Sequence, residues 1–200
     1  MDNKLKVIIA IVIIAIVTIG GYFAYSSYMN ENFSTNMASA VNCEVSIQNI
    51  ANNNSASTTV DQTEQVNQII NKLNEEKTHL NNAKSFTINS AEKQYVDLQL
   101  EKVDIEIAQY NDLLKTYATS DSFDMETMQE IHKIDDDYTN QVIKLNENQK
   151  QVKDLLSKNS DLNKVITGLP DINKIEMNGF LGNNVINNST FGNTTTNSTT

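Results

Sequence analysis

Between Tyr22 and Thr167 the chain contains neither glycine nor proline. Glycine and proline usually supply the special backbone angles of tight turns, so so long a stretch without them argues against all-β and most α/β folds. What remains is a set of long helices whose breaks are made by polar residues. Gly20 and Gly21 precede the stretch, and Gly168 and Pro170 follow it.

Just before the stretch, Val7 to Tyr25 is VIIAIVIIAIVTIGGYFAY, with no charged residue. Its 19 residues span about 28 Å as a helix, close to the hydrocarbon thickness of a bilayer. Lys4 and Lys6 lie before it, and the next lysine is Lys72. Positive charge is retained on the cytoplasmic side, so the expected orientation places the N-terminus inside and the bulk of the chain outside. Tyr22, Phe23, Tyr25 and Tyr28 suit the outer interface. A cleaved signal peptide is the competing expectation, with Ala24-Tyr25-Ser26 as a fair processing site.

The expected organisation is a cytoplasmic end at 1–6, a transmembrane signal-anchor helix at 7–28, an extracytoplasmic helical bundle at 29–160 and a low-complexity, flexible tail at 161–200. The fold class is all-α, with an elongated three- or four-helix antiparallel bundle or coiled coil behind the anchor. Four segments carry helical periodicity. The first, Glu31 to about Asn53, places Phe33, Met37, Ala40, Val41, Val45, Ile47 and Ala51 along one side. No breaker separates it from the anchor, so one helix can serve both. The second has Val66, Ile69, Ile70, Leu73, Leu80 and Ala83, with Thr59 and Gln62 at capping-box spacing.

The third has the clearest pattern. Val96, Leu100, Val103, Ile107, Tyr110, Leu114 and Tyr117 alternate spacings of four and three, and Asn89 with Glu92 can cap the start. The fourth carries Met128, Ile131, Tyr138, Val142, Leu145, Val152 and Leu156, with Asp135 and Gln149 on the same line. Connections this short favour antiparallel neighbours. The end of the chain, NNSTFGNTTTNSTT, has too little apolar area to offset its ordering entropy.

Few residues offer chemistry. The chain has no arginine, and its net charge is −10, which disfavours nucleic-acid binding. One cysteine, Cys43, excludes an internal disulfide framework and a cysteine-based zinc cluster. Glu76 and His79 form Glu-x-x-His, which in di-iron bundles recurs with a second copy. His132 has Gln129 at the matching place, so the second copy is broken. Asp135-Asp136-Asp137 lacks the alternating ligands and the glycine of a calcium loop, and is expected as a solvated acidic face. Asn-x-Ser/Thr sequons start at Asn32, Asn53, Asn187, Asn188, Asn193 and Asn197.

No catalytic, cofactor-binding or metal-ligating residues are therefore expected. The functional expectation is a non-catalytic, single-pass plasma-membrane protein whose helical stalk acts as a spacer or protein-interaction module. The alternative is an extracytoplasmic sensor or accessory subunit that binds a small ligand between helices, with Asp135, Tyr138 and Gln149 as pocket candidates. Expected partners are the membrane and a protein or cell-envelope layer. A homodimer through Cys43, or through the small pair Gly20 and Ala24, is a further option.

Overall fold

A computed structural model describes residues 3–52, 59–119 and 125–175. Side chains within these ranges are described except at 3–17, 19, 20, 59, 60, 119 and 126. The described chain is all-helical. α1 is Asn3–Asn52, α2 is Thr59–Ser85, α3 is Ser90–Thr119, α4 is Met125–Lys158 and α5 is Ser160–Thr167, followed by a 3-10 turn at Ile172–Lys174. α1 packs on α2, α2 on α3 and α3 on α4, and the 3-10 turn returns to α1. The fold class is therefore a helical bundle, as the periodicity predicts.

Helix direction follows from contacts at both ends. The Tyr28 ring meets the Phe86 ring edge-on at 6.0 Å, and the Gln65 side chain donates to the Ile50 carbonyl at 2.6 Å. α1 and α2 are thus antiparallel. Lys84 pairs with Asp97 and Lys77 with Asp104, which fixes α2 antiparallel to α3. The Asn148 amide donates to the Leu98 carbonyl and Gln141 to Asp112, so α4 runs back along α3. The start of α3 is capped as its sequence predicts. The Glu92 N–H donates to the Asn89 side chain at 2.9 Å, and the Glu92 carboxylate reaches back to the Ile88 N–H at 2.7 Å. The side chain of Thr59, expected in a capping box, is not among those described.

α1 extends well beyond the bundle. Among its described side chains, Thr18 and residues 21–28 are exposed or half-exposed, and burial begins at Met29. From there Phe33, Met37, Ala40, Val41 and Ile47 enter one core with Leu73, Leu80, Tyr95, Val96, Val103 and Val152. Among the described residues no helix is long and apolar enough to cross a membrane. Most of the expected span falls outside that statement, because the side chains of 7–17, 19 and 20 are not among those described.

Two expectations change. Residues 161–175 do not behave as a flexible tail: Leu162, Ile166, Leu169, Ile172 and Ile175 are all buried in the core. α5 has apolar residues four apart on a single face, and Pro170 and Asp171 turn the chain so that the next apolar pair also faces inward. Asp171 adopts φ 62°, the left-handed conformation that Asp tolerates better than most residues. Residues 176–200, which carry four of the sequons, lie outside the described residues. Met128, expected in the fourth seam, is 55 % exposed, whereas Ile134 and Leu155 are buried in α4.

Because α5 closes the core, Ile166→Ala is expected to destabilise the bundle by about 2–4 kcal/mol, the usual range for deleting a packed aliphatic side chain. A denaturant midpoint for Ile166→Ala indistinguishable from wild type would show that α5 is not part of the cooperative unit.

Candidate functional site

The seam of the bundle is not uniformly apolar. On α2 the buried residues Val66, Ile69, Leu73, Leu80 and Ala83 leave one place in the four-three rhythm, and Glu76 fills it with no exposed surface. On α1 the rhythm Phe33, Met37, Ala40 and Ile47 leaves a place that Glu44 fills, also fully buried. α3 carries a second line, one position ahead of its apolar stripe: Glu92, Tyr95, Gln99, Lys102, Glu106 and Gln109, all buried. Three helices therefore present a buried polar group to one another.

Lys102 is the centre of this cluster. Its ammonium donates to Glu44 across the α1–α3 interface and lies 3.5 Å from Glu106, one turn further along α3. Three carboxyl groups and one ammonium are thus enclosed together. Glu44 and Glu106 flank the cation, whereas neither oxygen of Glu76 has a hydrogen-bond partner among the described residues. The Tyr95 hydroxyl and the Gln99 side-chain amide are also unpartnered there.

Burial pushes the Glu76 carboxyl well above the usual carboxylate range, and the nearby Glu106 and Cys43 push it the same way. Burial also raises Glu106, with Lys102 opposing the shift. Lys102 itself is lowered by burial, against the pull of Glu106. The Tyr95 hydroxyl is raised well above its ordinary value by burial and then by Glu76. An isolated buried carboxylate is far more costly than a neutral acid, so the favoured state of Glu76 is protonated. What the cluster offers chemically is a retained proton beside an ion pair.

The other candidates stay apart from it. His79 is half-buried and His132 exposed. Asp135, Asp136 and Asp137 are exposed, Tyr138 is half-buried and Gln149 is buried, so the three pocket candidates do not converge on an enclosed space. Among the described residues no group of three or more His, Cys, Asp or Glu is placed to hold a metal ion. An open depression of about 360 Å³ lies at the α2–α3 and α4–α5 corners, lined by Asn89, Ser90, Lys158, Asn159 and Asp161. Cys43 is buried, and burial raises its thiol above the ordinary value.

Comparisons of the chain with protein-family models, with characterised proteins and with solved structures find no match. The functional reading therefore rests on the chain's own chemistry.

The polar cluster was partly legible. The vacant four-three positions at 44 and 76 identify the glutamates once charged residues are admitted to the seam. The second line on α3 is not visible in this way, because it is polar almost throughout and fills no vacancy in an apolar rhythm. A search for apolar stripes passes over all of them.

Two outcomes follow from the cluster. A carboxyl raised in the fold adds stability below its unfolded pKa and loses it as pH rises through the folded value. Bundle stability should therefore fall as pH rises from the ordinary carboxyl range toward the raised value of Glu76, and Glu76→Gln should flatten that slope. Equal slopes for wild type and Glu76→Gln in denaturation series would exclude Glu76 as the source. Lys102→Met should cost about 3–5 kcal/mol, because it leaves Glu44 and Glu106 buried without a cation; the same series measures it.

Proposed function

We propose that this chain is a non-catalytic, single-pass membrane-anchored protein whose helical bundle stands outside the membrane as a spacer or protein-interaction module. The observation that carries the reading is the continuity of α1. One helix runs from Asn3 to Asn52 and includes both the apolar stretch Val7–Tyr25 and the residues that enter the core from Met29 onward. The apolar stretch and the bundle thus share one backbone axis. The lysines at 4 and 6, and the absence of lysine from there to Lys72, support an inside N-terminus.

The bundle's helices of 27 to 34 residues correspond to about 40–50 Å of reach from the surface. Acidic side chains at the far end, including Asp61, Glu64, Glu130 and Asp135–Asp137, keep that end solvated and repel anionic surfaces. A partner for this end would be a protein or envelope layer carrying positive charge. A dimer bridged by Cys43 would require α1 to part from the core, because the thiol is buried. The Gly20 and Ala24 pair remains the route by which two anchors could approach.

A second reading, an extracytoplasmic sensor acting through a membrane partner, draws on the polar cluster. A seam interrupted by Glu44, Glu76, Lys102 and Glu106 is more responsive to its surroundings than a continuous apolar one.

The test is topological. In a Cys43→Ala background, Asp136→Cys should react with a membrane-impermeant maleimide in intact cells. Asn3→Cys should react only after lysis, and both proteins should stay with the membrane through alkaline carbonate extraction. Release by carbonate would refute the anchor, and labelling of position 3 in intact cells would refute the orientation.

A further inference from the structure

We propose that the end of the bundle built from the α2–α3 turn and α5 seats in the lipid headgroup layer, with Phe86, Ile88 and Val165 as its apolar contacts. The inference rests on the reading of Val7–Tyr25 as a membrane span and adds to it a second, peripheral contact with the bilayer.

Distance makes the argument. A bilayer is about 30 Å thick in its hydrocarbon core and about 40–45 Å overall, so each headgroup layer is roughly 5–8 Å deep. If the span ends at Tyr25, then Tyr28 lies three residues on, about 4.5 Å further along the helix axis. The Phe86 ring touches the Tyr28 ring at 6.0 Å. The α2–α3 turn is therefore held at headgroup depth by a contact within the bundle itself. The same end holds α5, because Asn89, Ser90 and Ala91 at the start of α3 line one depression with Asn159, Ser160 and Leu162.

The surface chemistry of this end fits that position. Ile88 is 42 % exposed at the tip of the turn and Val165 37 % exposed on α5, and on α1 the rings of Tyr25 and Tyr28 are exposed as well. Apolar and aromatic side chains of this kind favour the boundary between headgroups and acyl chains. Lys84, Lys93, Lys158, Lys164 and Lys174 gather here, interleaved with Asp97, Asp161 and Asp171. The opposite end holds the Asp135–Asp137 run. With Glu31 and Glu92 also at this end, its charges balance, whereas the opposite end is acidic, so this is the end that anionic phosphates repel less.

Depth-dependent quenching tests this with the full chain in phosphatidylcholine–phosphatidylglycerol vesicles. Single cysteines in a Cys43→Ala background at Ile88→Cys, Asp136→Cys and Ile13→Cys carry a polarity-sensitive fluorophore, and lipids spin-labelled at shallow or deep positions serve as quenchers. Circular dichroism confirms that each variant is as helical as the parent. The expected result is deep quenching at 13, shallow quenching with blue-shifted emission at 88, and neither effect at 136. Quenching at 13 with position 88 behaving like 136 overturns the seat and leaves the anchor standing. Absence of quenching at 13 overturns the anchor and the seat with it. Shallow quenching at both 88 and 136 overturns the upright seat, since the bundle would then lie along the surface.

Discussion

The rest of the bundle is organised by the burial of α3 on two adjacent faces. Its apolar line, Val96 and Val103 with half-buried Leu100, Ile107 and Tyr110, joins the core, and its polar line from Glu92 to Gln109 is buried beside it. A helix with one apolar stripe can be completed by a single partner, but two buried lines require neighbours on both sides. α2 and α4 supply them directly, and α1 is drawn in through the Glu44–Lys102 pair. Charge on the outside of α3 is then matched locally: Asp97 and Asp104 take Lys84 and Lys77 from α2. Asp97 is held below the usual carboxylate range by Lys84 and then Lys93, but its exposure to water keeps that contribution small.

The buried charges are not there because they stabilise most. Well-packed apolar residues in place of an enclosed ion pair are often neutral or stabilising, whereas one ion without its partner is strongly destabilising. Leucine at 76 would complete the α2 rhythm that Leu73 and Leu80 already set. What the polar residues add is register. A heptad seam of aliphatic residues tolerates sliding by a heptad, but Lys102 meets Glu44 at only one alignment of α1 against α3. The Asn148 amide, held between the Leu98 carbonyl and the Glu101 carboxylate, does the same for α4.

This division explains what was legible in the sequence. Helix existence, the order of helices and the Asn89–Glu92 cap follow from residues whose role is local: an absence of breakers, a repeating spacing, a capping box. The polar line of α3 is different, because hydropathy alone assigns Gln99, Lys102 and Glu106 to solvent. Only the neighbours decide that they are inside, and those neighbours, Glu44 and Glu76, lie far away in sequence. α5 was obscured for a related reason. Ser160–Thr167 is too short for periodicity to be persuasive, and its neighbourhood of Gly168, Pro170 and Asn resembles loop composition. Its order comes from the burial of Leu162 and Ile166 in the shared core, and not from its own propensity.

The covering by α5 has a consequence for α1. A helix that left a membrane and joined a bundle through a loose linker would let the two parts move independently. Here the helix has no glycine or proline after Gly21, and Met29, the first buried residue among the described side chains, follows the aromatic stretch directly. A sharp kink therefore has no glycine or proline to form at from Tyr22 to Asn52, although the Asn32, Asn36, Ser39 and Ser46 side chains bond to carbonyls one turn back along this stretch. The 3-10 turn packs on α1, with Ile172 and Ile175 in the core that α1 enters. Any tilt of the N-terminal half of α1 would be felt first at Met29 and Phe33, then along the helix at Glu44, where the ion pair with Lys102 ties α1 to α3. The polar cluster thus lies four turns or so from where burial begins, on the one helix that leaves the bundle, so a displacement of α1 must either carry α3 with it or separate a buried ion pair.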